Sequence, residues 1–218
     1  MKIILKADDL GGYPGKNKTV PQRWQRFVNI IQKYNIKANI GIIGNSLIFN
    51  DTKYFAWIKK YHTLGFIEFF NHGFLHRQFN FDGEIYQEFK GTSVKYQYNL
   101  ISYTNELLKE KTGIQFITFG APYNAIDKNT SLALTKAEIK AGFFLENNFN
   151  GLNLQNRLEI EVPVHKVNFK ALQKYYTKKD YVVIQVHPNS WENNSFEEFE
   201  EAIQFLKNEN FTLAREMI

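Results

Sequence analysis

The chain has 218 residues, of which 44% are hydrophobic and 16% aromatic, a composition typical of a globular protein and not of a disordered one. It contains no cysteine, which excludes disulfides and thiolate metal sites, so a metal ion would need histidine, aspartate or glutamate ligands. The formal net charge is +5, but the basic residues are scattered and form no nucleic-acid motif, so we expect a solvated basic surface and no nucleic-acid partner.

The N-terminal apolar run is short and meets two acidic residues at once, unlike the apolar core of a signal peptide. No stretch reaches the roughly 18 apolar residues of a membrane span. We therefore expect no membrane span and a cytoplasmic location. No linker or change in composition divides the chain, so we expect a single domain over residues 1–218, of unknown oligomeric state.

Apolar strands alternate with amphipathic helices along the chain. Strands are predicted at 2–7, 36–43, 66–70, 115–119, 158–164 and 181–186, with a further apolar segment at 143–146. Helices are predicted at 21–34, 51–65, 93–113, 128–142, 169–176 and 196–210, and residues 77–92 are predicted to be mostly loop. This alternation predicts an α/β fold of mainly parallel strands, and periodicity alone leaves open whether the sheet is open or a closed or partly closed barrel.

The helix boundaries carry recognisable signals. Asp51 is expected to cap the second helix, and Gly65 is expected to stop it. Ser195 and Glu198 have the spacing of a capping box, which predicts that the last helix begins there.

Polar side chains follow several strands at their C-terminal ends. They are Asp8 and Asp9, His72 and His76, the segment GAPYN (120–124), His165, and His187. The C-terminal ends of parallel strands share one face, where active sites of such folds are built. We therefore expect a functional site at this face.

The two histidines of NHGFLH (71–76) are spaced for a shared metal ion. Gly73 between them favours a loop over a helix. Two imidazoles and one carboxylate would leave positions open on Zn²⁺ or a similar ion. The Asp8–Asp9 pair would supply that carboxylate and a second one that accepts a proton, since adjacent residues of a strand point to different sides. Solvated loop histidines and a solvated turn in DDLGG are the alternatives.

Four segments resemble motifs of the polysaccharide deacetylase (NodB-homology, carbohydrate esterase family four) superfamily. They are KADDLGG, NHGFLH, FGAPYN and VHPNSW, in the family's order, and LEIEVPV also resembles a family strand. The H-x-x-x-H spacing favours this family over the related YdjC-like deacetylases. The resemblance implies a distorted, incomplete (β/α) barrel, with the active site at the C-terminal strand ends, and metal-dependent removal of acetyl groups from sugars.

The resemblance also implies roles for individual residues. The general base would be Asp8 and the general acid His187. The ligands of one divalent ion, with zinc favoured, would be Asp9, His72 and His76. The backbone amide of Tyr123, beside Pro122, would help to stabilise the oxyanion. His165 and Trp191 are further candidates for the substrate pocket, although Trp191 is an equally good core residue.

Two departures from the family pattern affect these assignments. The family has an arginine that orients the base where this sequence has Gly120, and Arg77 and Lys6 are the candidates to replace it. The motif that supports the acid histidine is not recognisable, although Glu161 and His165 lie in the expected region.

The sequence thus predicts a metal-dependent deacetylase of an acetylated sugar or glycan, one that acts on a cytoplasmic intermediate of surface-polysaccharide synthesis. One alternative is a catalytically impaired sugar-binding protein on the same fold. The other is a metal-dependent amide hydrolase with a non-sugar substrate.

Overall fold

The computed structural model describes residues 1–11, 20–144, 149–177 and 179–218. Within these ranges the α-helices are α1 (Gln22–Lys33), α2 (Ser46–Phe49), α3 (Thr52–Thr63), α4 (Val94–Thr112), α5 (Lys128–Lys136), α6 (Phe169–Tyr175) and α7 (Asn193–Phe205). The strands are β1 (Lys2–Leu10), β2 (Ala38–Ile42), β3 (Ile67–Asn71), β4 (Gln78–Phe81), β5 (Glu84–Gln87), β6 (Thr118–Phe119), β7 (Ala141–Gly142), β8 (Leu152–Asn153), β9 (Arg157–Glu159), β10 (Tyr181–Val186) and β11 (Asn210–Phe211). The apolar segment predicted at 143–146 lies partly outside the described residues.

Nine of the strands form one parallel sheet. Eight of them follow the order β8-β7-β6-β3-β2-β1-β10-β9, and β11 pairs with the start of β1. Strands β8 and β9 are the two ends of this path, so the sheet curls without closing. The fold is therefore an incomplete (β/α) barrel, as the family resemblance implied. Among the described helices, none combines the length and the apolar character needed to cross a bilayer.

Strand β1 lies at the centre of the sheet and is buried on both faces. Ile3, Leu5 and Ala7 belong to the large core between sheet and helices, where α1 packs its apolar side. Ile4 lies in a second cluster with Phe70 and Val183. Because side chains alternate along a strand, Lys6 and Asp8 share the face of Ile4. This alternation places two charged side chains inside the barrel.

The Asp51 prediction is confirmed, because its side chain accepts the backbone N–H groups of Lys53 and Tyr54 at the start of α3. The predicted capping box is wrong. Ser195 is buried inside α7, which begins two residues earlier, and the side chain of Glu198 instead accepts the N–H of Phe169 at 2.7 Å. Glu198 therefore anchors the start of α6 rather than capping its own helix.

The segment predicted as loop contains a hairpin, β4–β5, outside the main sheet. Its turn is Asp82–Gly83, and both residues have positive φ, at 50° and 78°. An Asp-Gly turn between alternating apolar residues is a strong hairpin signal, so the sequence did contain the information. Other strands are shorter than predicted: 115–119 reduces to β6 and 158–164 to β9.

Candidate active site

A cleft of about 820 Å³ opens at the C-terminal ends of the strands. Seven of the nine residues predicted for the site line it: Asp8, Asp9, His72, His76, Tyr123, His165 and His187. They come from widely separated parts of the chain. The parallel sheet brings them together because each lies in the last residues of a strand or in the segment that follows it.

Asp8 and Asp9 both face the cleft, although alternation along a regular strand would separate them. The pairing of β1 with β2 shifts register between Ala7 and Leu10, and Asp9 has a left-handed φ of 73°. Such a bulge re-aims a side chain. The expectation that the two carboxylates point to different sides is therefore corrected: the irregular strand end places both at one site.

Asp9, His72 and His76 form a compact donor cluster. Asp9 Oδ1 lies 3.1 Å from Nε2 of each histidine. Burial would raise the pKa of Asp9, but the hydrogen bonds and charges of the two histidines outweigh it and hold that pKa far below its usual range. The carboxylate is therefore ionised and suited to a cation.

The hydrogen bond at Nδ1 of His72 fixes the tautomer of its neutral ring. His72 Nδ1 lies 2.6 Å from the carbonyl oxygen of Gly120, which can only accept, so Nδ1 carries a proton. In the neutral ring Nε2 then carries the lone pair, which would face an ion bound beside Asp9, whereas a hydrogen bond from Nε2 to Asp9 needs a proton there. Outer hydrogen bonds of this kind orient histidine ligands in metal sites. Two imidazole nitrogens and one carboxylate oxygen converge with the cleft beside them, which fits one divalent ion with open positions.

The loop that carries the two histidines is held by Glu88, a buried residue that sequence reasoning missed. Its carboxylate accepts the N–H groups of Leu75 and His76 at 2.6 and 2.9 Å. His76 itself has a positive φ of 52°. The side chain of Tyr123 contacts the other side of His76, with ring centroids 4.5 Å apart and its hydroxyl donating to the His76 carbonyl. The donor cluster is thus supported on two sides.

Lys6 is the cation that contacts Asp8. It is fully buried, its Nζ pairs with Asp8 Oδ2, and it lies 5.6 Å from the ring centres of both Phe70 and Phe143. Burial would raise the pKa of Asp8, but the charges of Lys6, His72 and His187 together outweigh it, so that pKa is lowered. Asp8 Oδ1 is buried and has no hydrogen-bond partner within the described residues. This oxygen can accept a proton.

Gly120 has no room for a side chain. A Cβ there would lie 2.8 Å from the ring of Phe70 and 3.1 Å from Cε of Lys6. Lys6 therefore occupies the space beside Gly120. Of the two candidates for the missing arginine, Lys6 contacts Asp8, whereas Arg77 lines the cleft.

His187 is held by Glu161, which lies at the start of the turn after β9. Nδ1 of His187 donates to Glu161 Oε2 at 2.6 Å, and its backbone N–H donates to Oε1 at 2.7 Å. Burial would lower the pKa of His187, but the hydrogen bond to Glu161 and the charge of Asp8 outweigh it, so that pKa is raised. Nε2 of the ring lies 3.9 Å from Asp8 Oδ2. The raised pKa favours the protonated form of His187, which faces the base candidate.

His165 completes a second group of donor atoms with Glu161 and His187. Its ring lies 4.9 Å from that of His187, and its backbone N–H donates to Glu161 at 3.2 Å. Glu161 accepts a fourth N–H from the indole of Trp191. A carboxylate with four donors around it is explained as a hydrogen-bond acceptor, and an ion there would have to displace these bonds.

Two residues considered for the substrate pocket do not line the cleft. Trp191 is fully buried and packs against Phe27, Phe196 and Phe199 in the core, so it supports Glu161 rather than walling the cleft. Pro122 is also buried and does not line the cleft. Its Cγ would be 2.7 Å from a Cβ at position 73, so it packs against Gly73.

Arg157 is a cleft residue that the sequence did not single out. Its Nη2 donates to the side chain of Asn124 at 2.9 Å, in the segment that contains Tyr123. The strand predicted from the apolar pattern began at residue 158, one position later. No motif marked Arg157, because its importance comes from a contact with a distant loop.

The comparisons with known proteins agree with this fold. A family model described as polysaccharide deacetylase matches residues 3–142. No curated protein sequence matches the chain. Among solved structures, an acetyl xylan esterase of family 4 from Clostridium thermocellum, in complex with a cobalt ion, has a TM-score of 0.68 at 18% identity, with 100% of this chain and 90% of that one covered.

Two further structures show the range of this fold. A family 4 carbohydrate esterase from Streptomyces lividans, in complex with acetate, has a TM-score of 0.65 at 13% identity, covering 97% of this chain and 90% of that one. A family 4 pseudoenzyme from Bacillus anthracis has a TM-score of 0.66 at 12% identity; the match covers 98% of this chain but spans 64% of that one. The family model covers more than half of the sequence, and the fold and the strand-end motifs agree with it. The chain therefore belongs to the polysaccharide deacetylase family.

Proposed function

We propose that this protein is a metal-dependent deacetylase that removes an acetyl group from a sugar. One observation carries the proposal: Asp8 Oδ1, a buried carboxylate oxygen with no partner among the described residues, and His187, whose protonated form Glu161 and Asp8 favour, lie beside a cluster of three metal donors. A base, an acid and an ion site within one cleft are the parts that hydrolysis of an amide or ester needs.

The ion would be held by Asp9, His72 and His76, with zinc favoured by the two imidazole ligands. When bound, it would polarise the acetyl carbonyl and activate water. Asp8 would accept the proton of the attacking water through Oδ1, while Lys6 holds its other oxygen. His187 would then give a proton to the leaving nitrogen or oxygen of the sugar. Glu161 would keep His187 oriented and charged for this step.

The backbone amide of Tyr123 would serve as donor to the developing oxyanion, as the resemblance implies. His165, at the cleft rim beside His187, would contact the substrate. The sugar is proposed from the family and from the acetyl xylan esterase among the structural relatives. Two finer points stay predictions: that the substrate is an intermediate of surface-polysaccharide synthesis, and that the protein is cytoplasmic. Cell fractionation of the tagged protein tests the location.

A catalytically impaired sugar-binding protein is the second candidate. The pseudoenzyme among the structural relatives and the glycine at position 120 favour it. The Lys6–Asp8 pair weakens it, because a cation contacts the base candidate without an arginine at position 120. An amide hydrolase acting on a non-sugar substrate would use the same groups.

Released acetate separates these candidates. The purified protein, loaded with Zn²⁺ or Co²⁺, would be incubated with N-acetylated and O-acetylated sugars, free and nucleotide-linked, and with acetylated non-sugar amides. We expect acetate from at least one sugar, and far less from the Asp8→Asn variant. Acetate from non-sugar amides alone would favour the amide hydrolase. Sugar binding with no acetate from any compound would favour the impaired protein.

A further inference from the structure

The turn after β6 contains two strained residues in succession. Tyr123 and Asn124 have φ values of 57° and 53°, in the left-handed region that residues other than glycine adopt at a cost in free energy. Such a conformation persists where the surrounding contacts hold it. The contacts of this turn therefore indicate what holds the segment 122–124 at the cleft.

Two contacts hold this segment from opposite sides. On one side, the hydroxyl of Tyr123 donates to the His76 carbonyl at 3.1 Å. On the other side, Arg157 Nη2 donates to Asn124 Oδ1 at 2.9 Å. Four strands lie between β6 and β9 in the sheet order, so the contact of Arg157 spans the mouth of the incomplete barrel.

The burial of Arg157 is not explained by its charge partners. Its side chain is 11% exposed, and the nearest carboxylate contact is Glu159, 3.7 Å from Nε, on a side chain that is 56% exposed. Nε is buried and makes no hydrogen bond within the described part of the chain. Burying a guanidinium with an unsatisfied N–H costs free energy. A role of Arg157 in the cleft explains this cost better than a contribution of Arg157 to the stability of the fold.

We propose that Arg157 is a positioning residue, which clamps Asn124 and so holds the Tyr123 segment against the metal-ligand candidate His76. The expected effect of Arg157 on turnover rests on the proposed function. The expected effect of Arg157 on the position of segment 122–124 rests on the Arg157–Asn124 contact alone. A displacement of about 1 Å in a positioned group can reduce turnover by about 10²-fold. Loss of the clamp should therefore reduce turnover through kcat.

Two substitutions remove the clamp from opposite ends. Arg157→Met removes the donor. Asn124→Gly removes the acceptor and also relieves the strain, since glycine adopts a positive φ without cost. We expect either variant to keep its metal content and to lose about 10- to 100-fold in kcat, with a much smaller change in KM. The double variant should lose no more than either single variant, because both break one contact.

Amide hydrogen exchange tests the clamp without relying on activity. In the purified protein as isolated, exchange in peptides that cover residues 120–125 should become faster in Arg157→Met. Arg26→Met is the matched control, because Arg26 also bonds an asparagine side chain, Asn193, but outside this cleft. Asn124→Asp keeps the acceptor and should retain both slow exchange and turnover.

Unchanged exchange in Arg157→Met, or losses of kcat that multiply in the double variant, would overturn the clamp. Near-native kcat in a folded Asn124→Gly variant would do so as well. If the wild-type protein releases no acetate from any compound while exchange still responds to Arg157→Met, the proposed function fails and the clamp stands. If Arg157→Met does not fold, the comparison of Asn124→Gly with Asn124→Asp decides the question, again by hydrogen exchange and kcat.

Discussion

Replacing Glu161 with glutamine tests the hydrogen-bond network around His187. Glutamine keeps the shape of the side chain but offers one acceptor oxygen in place of two. The Oε1 position receives the backbone N–H of His187 and the indole N–H of Trp191, each at 2.7 Å, and neither donor can become an acceptor. The glutamine oxygen must therefore take that position, and its NH₂ group must face the ring of His187.

This arrangement reverses the hydrogen bond to the ring. His187 Nδ1 would have to accept, so the proton of the neutral ring would move to Nε2, and the backbone N–H of His165 would lose its partner. The bond to the ring and the two bonds at the Oε1 position become neutral, and the bond from His165 is lost. A bond to a charged group contributes about 1.5–3 kcal/mol and a neutral one about 1 kcal/mol. The lost bond alone should lower the free energy of unfolding by about 1.5–3 kcal/mol, and the three bonds that become neutral add to this loss.

The loss in free energy of unfolding of Glu161→Gln should depend on pH in a defined direction. The folded state raises the pKa of His187, so that its contribution is complete below the unfolded value of about 6.5 and is lost as pH rises through the folded value. The pKa of Glu161 is lowered, because the His187 and Trp191 donors outweigh burial, so its contribution is lost as pH falls through its own folded value. The destabilisation should therefore be largest between about pH 5 and 6, and smaller at alkaline pH.

Turnover should fall by about 10²- to 10⁴-fold, the usual loss when an acid or base is disabled. The alkaline limb of the pH–rate profile should move to lower pH, because His187 loses the negative partner that keeps it protonated. Metal content should not change. Urea unfolding at two pH values, a pH–rate profile and elemental analysis provide the measurements, with the exposed Glu197→Gln as control. An alkaline limb at the wild-type position, with turnover within about threefold, would refute the role of Glu161.

Three further predictions concern the ion site and its surroundings. Asp8→Asn should keep the metal and lose most turnover, whereas Asp9→Ala should lose metal affinity itself; equal metal loss in both, by elemental analysis, would mean that the two roles are wrong. His187→Ala should retain the full metal content while turnover falls by about 10²- to 10⁴-fold, and loss of metal would identify His187 as a ligand instead. Lys6→Met removes one partner of a buried pair and should cost the metal-free protein about 3–5 kcal/mol at pH 8 by urea unfolding; an unchanged midpoint would contradict the importance of this pair.

The general position of the site could be predicted from the sequence, because a simple geometric rule governs it. Parallel strands end at one face, so polar residues that follow separate strands meet there. This rule brought together Asp8, Asp9, His72, His76 and His187, and the structure places all five in one cleft. The direction of each side chain did not follow from the rule. Asp9 faces the cleft because of a left-handed residue at a bulge, which strand periodicity cannot predict.

Supporting residues were harder to predict than the residues they support. Glu88 accepts backbone N–H groups of the loop that carries His76, and Glu161 accepts N–H groups of His187 and Trp191. These contacts depend on how the chain turns after a short strand. Arg157 contacts Asn124 across the barrel mouth. A predicted strand gives no information on such loop-to-loop contacts. The structure was therefore needed to find Glu88 and Arg157, and to show that Glu161, already noted in the expected region, is the residue that contacts His187.

The pairing of Lys6 with Asp8 shows that a positive charge can reach the base candidate without an arginine at position 120. A carboxylate responds to a positive charge at a short distance, whichever strand supplies it. At Gly120 the backbone lies too close to Phe70 for a side chain, and the space beside it is taken by Lys6, which reaches Asp8 from two residues earlier in the same strand. The period of two along β1 puts these residues on one face, so the sequence itself favours Lys6 over Arg77 once the strand is known. The charge beside Asp8 therefore has to be sought among residues that are neighbours in space, and a comparison by motif position alone would class this site as defective.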